Sequence, residues 1–388
     1  MMLQRDSWLR EYCLTHRHAR REVIEDKIIT EKKTFTAWGR LVFTLIVIAL
    51  LITGIFLLVR SMGRRSLYEL SSGLESDTAD VGEAVQNGSP DTGIEEGHIV
   101  YNGKEYAPNK DLICILVMGL DKETVTEIGG QSWESNPDSY NNGGQADALF
   151  LVLLNPHDES INVVSINRNA MADVDVWDDE GNYRGILKEQ IALQHGYGND
   201  EVACAEHQVK AVSRFFHNIP IHAYAAISMD AIPELNDAVG GVTLEVLDDI
   251  VYPEYDMDLH RGQVVTLMGD KAYWYVRLRH EDEFDSNSVR LERQKQYLTT
   301  FAVTARERVN GDITVAVSLF TTLQKYMVTD LNVSSYTYLA TETMDYSFDA
   351  DNIYSVQGET LQGEMFEEFY ADDDALQDLI IKLFYEPV

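Results

Sequence analysis

Nineteen consecutive residues, Leu41 to Val59, carry no charge and are almost all apolar. At about 1.5 Å rise per residue they make a helix of about 28 Å, close to the thickness of a bilayer's hydrocarbon core. In front of this run lie 40 residues with nine Lys/Arg and six Asp/Glu, while beyond Arg65 there are 19 Lys/Arg against 58 Asp/Glu. The layout is that of a small cytoplasmic head (1–40), one transmembrane helix (41–59) and a large acidic part on the outer face. Arg60, Arg64 and Arg65 reduce the charge contrast across the helix. The larger basic cluster from Arg17 to Arg40 still favours an N-terminus inside. A cleaved signal peptide is the rival reading. Its apolar core usually has about 7–15 residues and ends at a small-residue site. Here the core is longer and runs into Arg60-Ser61-Met62-Gly63-Arg64-Arg65, which fits an uncleaved anchor.

A formal net charge of −33 argues against nucleic acid as a partner. It also means that any anionic ligand must meet a local basic pocket. The three cysteines are too few for a disulfide framework. Cys114, in an apolar run, reads as a buried strand residue and Cys204 as helical. A bridge between them is possible, with two buried thiols preferred.

Residues 60–100 are rich in Ser, Gly, Asp and Glu and read as a flexible extracytoplasmic stalk. From 101 to 388 apolar runs alternate with helical spacing. Buried strands are expected at Leu112–Met118, Ala148–Leu154, Ile161–Ile166, Ala223–Ile227, Val242–Val246 and Ala272–Val276. Helices are expected over 201–217 (Val202, Val209, Val212 and Phe216 on one face), 289–308, 314–327 and 375–383, with Gly240-Gly241 stopping another after Val239. This alternation predicts an α/β fold, an α-β-α layered domain with a central mixed sheet. The polar, Gly/Asn-rich loop from Lys122 to Gly144 has the length of a lid or binding loop.

Arginine placement carries the chemical signal. Arg277, Arg279, Arg290 and Arg293 fall within 17 positions of a domain otherwise poor in basic residues. On a strand end, Arg277 and Arg279 would share a face. On a helix, Arg290, Arg293 and Gln294 would share another. Four such groups can converge on one anion, since guanidinium forks fit phosphate oxygens and keep their charge. Salt bridging within an acidic domain is the equally weighted alternative. Arg168 follows a strand, where α/β sheets place ligand groups. Asp121 and Asp147, at the ends of adjacent runs, would suit Mg²⁺ beside a phosphate, or would simply cap turns. The chain contains no Gly-x-Ser-x-Gly elbow, P-loop or Cys-x-x-Cys.

In this order the pieces resemble the LytR-CpsA-Psr family of bacterial cell-envelope proteins. The resemblance rests on Leu116-Val117-Met118-Gly119-Leu120-Asp121, Asp147-Ala148-Leu149-Phe150-Leu151-Val152 and Val164-Ser165-Ile166-Asn167-Arg168-Asn169. Its most specific part is Tyr275-Val276-Arg277-Leu278-Arg279 followed by Arg290-Leu291-Glu292-Arg293-Gln294. It implies transfer of a glycopolymer, such as a teichoic acid or capsule, from an undecaprenyl-pyrophosphate donor to peptidoglycan as a phosphodiester. The arginines would clamp the pyrophosphate, Asp121 and Asp147 would hold Mg²⁺, and a hydrophobic tunnel would take the lipid tail. Asp285 is the candidate proton acceptor, with substrate-assisted proton loss as plausible, and lipid pyrophosphatase activity is a conceivable side reaction. Glu123 and Gln145 stand where the family often has arginine, Asn169 and Asn287 where it has aspartate, and Gln190 where it has lysine. Those changes support a second reading, a non-catalytic scaffold or sensor binding polyprenyl-phosphate lipids or glycans. Transcriptional attenuation is disfavoured because the head has no room for a DNA-binding domain.

Overall fold

The computed structural model describes residues 57–68, 97–121, 125–128, 131–134, 144–279, 284–348, 350–363 and 366–388. Most of the 41–59 run and residues 69–96 lie outside this set. Among the described residues no helix is long and apolar enough to cross a membrane.

The elements that position the site are, in chain order, β1 (Ile113–Asp121), β2 (Gln145–Asn155), β3 (Ser160–Ile166), the hairpin β4 (Met171–Trp177) and β5 (Tyr183–Gln190), α1 (Glu201–Phe215), β6 (Ala223–Ser228), α2 (Ala231–Ala238), β7 (Val242–Glu245), β8 (Val264–Leu267), α3 (Asp270–Arg277), α4 (Ser286–Gly311), α5 (Ile313–Tyr326), β9 (Met327–Thr329), α6 (Val333–Glu342), β10 (Ile353–Ser355), the hairpin β11 (Gly358–Gln362) and β12 (Glu367–Ala371), and α7 (Asp373–Phe384). Six strands form the central sheet in the order β9-β6-β1-β2-β3-β10. β6 runs parallel to β1 and β10 parallel to β3, while the other pairings are antiparallel, so the sheet is mixed.

Strand alternation explains the layers. Cys114, Leu116, Met118 and Leu120 of β1 face a core completed by Ala205, Val209 and Val212 of α1 and by Leu376, Ile380 and Phe384 of α7. Ile113 and Ile115 point to the other face, into a cluster with Tyr338 of α6 and Leu67. A third cluster joins β7, β8, α3 and Tyr297 of α4. Helix starts follow their capping residues. Asp200 accepts from the Ala203 amide at 2.8 Å, Asp372 from Ala375 at 2.9 Å, and Asp312 from Thr314 at 2.9 Å.

Several sequence expectations change. Ala272–Val276 is not a strand but the body of α3. Ala272, Tyr275 and Val276 are its buried residues, spaced at i, i+3 and i+4, which is helical periodicity. Val202 is 47% exposed, so the inner face of α1 is built from Cys204, Ala205, Gln208, Val209 and Val212 instead. Val125–Ile128 and Gln131–Glu134, inside the expected long loop, pair as a hairpin. Residues 63–68, assigned from sequence to the stalk, are helical, and Leu67 is fully buried. Cys114 and Cys204 are both buried free thiols.

Candidate functional site

Arg168 follows β3 and Asp147 lies in β2, one strand away. The β1–β2 ladder slips between Gly119 and Leu120, pairing Gly119 with Ala148 and Leu120 with Ala146. Asp147 is the extra residue of that bulge, which aims its carboxylate out of the regular ladder. Arg168 Nη1 meets Asp147 Oδ1 at 2.6 Å with both side chains nearly buried, and its Nη2 donates to Gln145 Oε1. Asp121 pairs through its backbone with Gln145, two residues from Asp147.

Arg290 approaches from the first turns of α4. It is 4% exposed and its Nη2 donates to Asn287 Oδ1 at 2.7 Å. Burial pulls its guanidinium down to about 9. Arg168, Arg279 and Arg293 push the same way, and only the Asp147 carboxylate opposes. Arg168 and Arg279 therefore load Arg290 beside the Asp147 carboxylate, while Arg293 has its own carboxylate in Asp248, and a cluster in which guanidinium groups outnumber carboxylates favours an added anion. Among the described residues Arg279 has no hydrogen-bond or ion-pair partner for its guanidinium. Tyr252 anchors its backbone by donating to the Arg279 carbonyl at 2.8 Å.

Arg293 is a different kind of residue. It is 2% exposed, and its Nη1 donates to the Tyr275 carbonyl at 2.5 Å, its Nη2 to the Leu278 carbonyl, and its Nε faces Asp248 Oδ1 at 3.1 Å as an ion pair. It fastens α4 to the end of α3. Gln294 does the same through the Val276 carbonyl at 3.2 Å. Arg277, the last residue of α3, does not share a strand face with Arg279. Leu278 between them is extended, and the Arg277 guanidinium lies over Tyr273 and Trp274, at 5.3 and 5.6 Å from the ring centres. It is not among the charges acting on Arg290. Asp285 adopts φ 61° at the head of α4, and its Oδ1 accepts from Ser288 at 2.6 Å and Thr360 at 2.7 Å, tying the helix to β11.

Residues 74–379 match the profile of the LytR_cpsA_psr family. The chain belongs to the LytR-CpsA-Psr family. Similar curated proteins include the polyisoprenyl-teichoic acid–peptidoglycan teichoic acid transferase TagU of Bacillus cereus, 24% identical over 74% of this chain and 76% of that protein. The protein of the same name from Halalkalibacterium halodurans is 26% identical over 58% of this chain and 62% of its own length. For that of Enterococcus faecalis the match spans about half of both proteins, 49% of this chain and 52% of the relative. Among solved structures, Bacillus subtilis TagV aligns with TM-score 0.52 and 21% identity over 70% of this chain and 95% of its own. Protein gbs0355 of Streptococcus agalactiae aligns with TM-score 0.53 and 21% identity over 70% and 87%. These likenesses carry the mixed α/β fold.

The structure shows how the family's altered positions are accommodated. Gln145 supplies the oxygen that takes Arg168. Asn287 donates to Asn167 Oδ1 at 2.6 Å while accepting from Arg290, and the Asn169 amide donates to the same Asn167 oxygen at 2.9 Å. An aspartate at 287 could accept from Arg290 but could not donate to Asn167, so the two asparagines form a matched pair. Gln190 donates to the Glu367 carbonyl at 2.8 Å, and Lys188 pairs with Asp173 at 3.1 Å on the exposed hairpin. Glu123 lies outside the described residues. Asp248 and Asn167 were not singled out from sequence. Neither carries a local pattern, because their partners stand 45 and 120 positions away.

Proposed function

We propose that the protein transfers a glycopolymer from a polyprenyl-pyrophosphate donor to peptidoglycan at the outer face of the membrane, leaving a phosphodiester link. The observation that supports this best is the convergence of Arg168, Arg279 and Arg290 on the Asp147 carboxylate, with Arg279 unpaired among the described residues. The printed names of the relatives, polyisoprenyl-teichoic acid–peptidoglycan transferases, agree with it.

In this reading Arg279 and Arg168 grip the pyrophosphate oxygens, and Arg290 strengthens the field from below without contacting solvent. The acceptor hydroxyl attacks the phosphorus that bears the glycan. The P–O bond to the lipid phosphate breaks, the polyprenyl phosphate leaves, and the hydroxyl proton passes to a donor phosphate oxygen. Asp285, whose Oδ1 accepts from Ser288 and Thr360, would have its Oδ2 as the alternative acceptor for that proton. Positive charge fixed beside the departing oxygen lowers the barrier without rearrangement. Arg293 and Gln294 act as positioning residues. Asp121 and Asp147 are hard oxygen donors close together in the ladder, a set that suits Mg²⁺. Asp147 would offer the oxygen that does not face Arg168. When bound, the ion would screen negative charge on the phosphates. An apolar tunnel for the lipid tail completes the reading.

The test uses the full chain in detergent with a synthetic polyprenyl-pyrophosphate glycan and peptidoglycan oligomers, with product followed by mass spectrometry. The expected result is a phosphodiester-linked product that disappears with EDTA and with Arg279→Ala. Binding of the donor without product in any condition would sink the transferase reading and leave a lipid-binding relative.

A further inference from the structure

The sequence suggests a flexible stalk between membrane and domain, but residues 63–68 are docked. Asn332 Nδ2 donates to Ser66 Oγ at 2.8 Å, Tyr68 donates to the Asp111 carbonyl at 2.7 Å, and Arg64 pairs with Asp111 at 3.0 Å. Leu67 is buried in a cluster with Tyr338 and Ile113. Gly63 is seated so tightly on α6 that a Cβ there would stand 2.0 Å from the Ser334 carbonyl oxygen. Only Arg60, Ser61 and Met62 separate Gly63 from the apolar run ending at Val59. The acidic, Gly/Ser-rich residues 69–96 come after this docking point along the chain.

Beside the docking point lies an unusual surface. Val333 at the start of α6 is 76% exposed, and Val317 and Phe320 of α5 are 63% and 41% exposed. The three form one patch. Val317 and Phe320 are one turn apart, Phe320 packs edge-on to Tyr336 at 5.6 Å, and Tyr336 is one turn from Val333. In a chain of net charge −33, α5 contains no Asp or Glu and α6 has only its last residue, Glu342. An acid-free apolar surface on the elements beside Arg64 is suited to an anionic lipid surface, which would repel the rest of the domain.

We propose that the α5–α6 face, led by Val333, Phe320 and Val317, rests in the headgroup region of the bilayer. This rests on reading 41–59 as a membrane anchor. The domain would then present its lipid-binding site in one orientation.

The test places single spin labels in the full chain reconstituted into vesicles containing phosphatidylglycerol, in a Cys13→Ser background; Cys114 and Cys204 are 0% and 1% exposed and stay unlabelled. Labels go at Val333→Cys, Phe320→Cys, Val47→Cys and Ile186→Cys. Ile186 is an exposed apolar control on the β4–β5 hairpin, which packs with α1 on the opposite face of the sheet. Labels at 333 and 320 are expected to collide several-fold more with oxygen than with a water-soluble nickel chelate, and the label at 186 the reverse. A bilayer signature at 47 with 333 and 320 as open to chelate as 186 overturns the proposal alone. No bilayer signature at 47 overturns the anchor reading and the proposal with it. Dipolar broadening at 333 between chains would assign the face to a second copy instead.

Discussion

Replacing Arg293 by alanine separates a structural arginine from a ligand-binding one. The change removes two charged donors from buried carbonyls and leaves Asp248 without its ion-pair partner. Hydrogen bonds to charged groups contribute about 1.5–3 kcal/mol each, and breaking a buried ion pair by deleting one partner costs about 3–5 kcal/mol. These overlap, so about 5 kcal/mol is expected in total, a large share of the roughly 5–15 kcal/mol that holds a domain folded. At roughly 2–4 °C per kcal/mol for a large domain, Arg293→Ala should melt roughly 10–20 °C below wild type. Arg279→Ala removes a half-buried group without a partner among the described residues, and its melting point should stay within a few degrees. Inorganic pyrophosphate should behave in the opposite sense. At about 100 times its dissociation constant it should stabilise the wild type by about 2.7 kcal/mol, and Arg279→Ala should lose that shift. Scanning calorimetry of the full chain in detergent, with and without pyrophosphate, decides. An Arg293→Ala protein melting with the wild type, or an Arg279→Ala protein that keeps the pyrophosphate shift, would refute the division of roles.

Asn287→Ala should cost about 2 kcal/mol, read as a shift of the urea midpoint, because Arg290 and Asn167 both lose a buried partner; Asn287→Asp should recover only part of it, and full recovery would contradict the matched-pair account. Burial lowers His222 from 6.5 to about 4, and it raises Asp330 from 3.8 to about 6, on the two sides of β6. The histidine's stabilising share is complete above its unfolded value and is lost as pH falls from 6.5 to 4. The aspartate has the reverse sign, its share being complete below 3.8 and lost as pH rises to 6. Each amounts to about 3 kcal/mol, so the wild-type urea midpoint should be nearly flat from pH 4 to 6. Asp330→Asn should make it fall toward acid and His222→Gln should make it fall toward neutral; parallel profiles in all three would reject the assignment. Asp147→Asn should abolish transfer while lowering the melting point, since it strips a buried counter-charge from Arg168 and Arg290; wild-type transfer by the variant would remove Asp147 from the reaction.

The sequence by itself determined what depends on local pattern. Continuous apolar runs marked β1, β2, β3 and β6. Helical spacing marked α1, α5 and α7, and the arginine-rich signature marked the candidate site and its family. Where two local patterns compete, it misled. Ala272–Val276 is apolar enough for a buried strand, and only the packing of its i, i+3, i+4 face against β7, β8 and α4 makes it helical, which moves Arg277 away from Arg279. The tertiary structure alone decided which arginine does what. Arg290 and Arg293 are one helical turn apart and alike in sequence. One is buried against other cations around Asp147, and the other is consumed by two carbonyls and Asp248. The same holds for residues 63–68, whose composition reads as linker but whose Leu67 and Gly63 fit a surface made by α6, 265 residues or more later in the chain. Burial and partner choice are properties of what the fold brings within a few ångströms, and a charge or a small residue carries no local record of that.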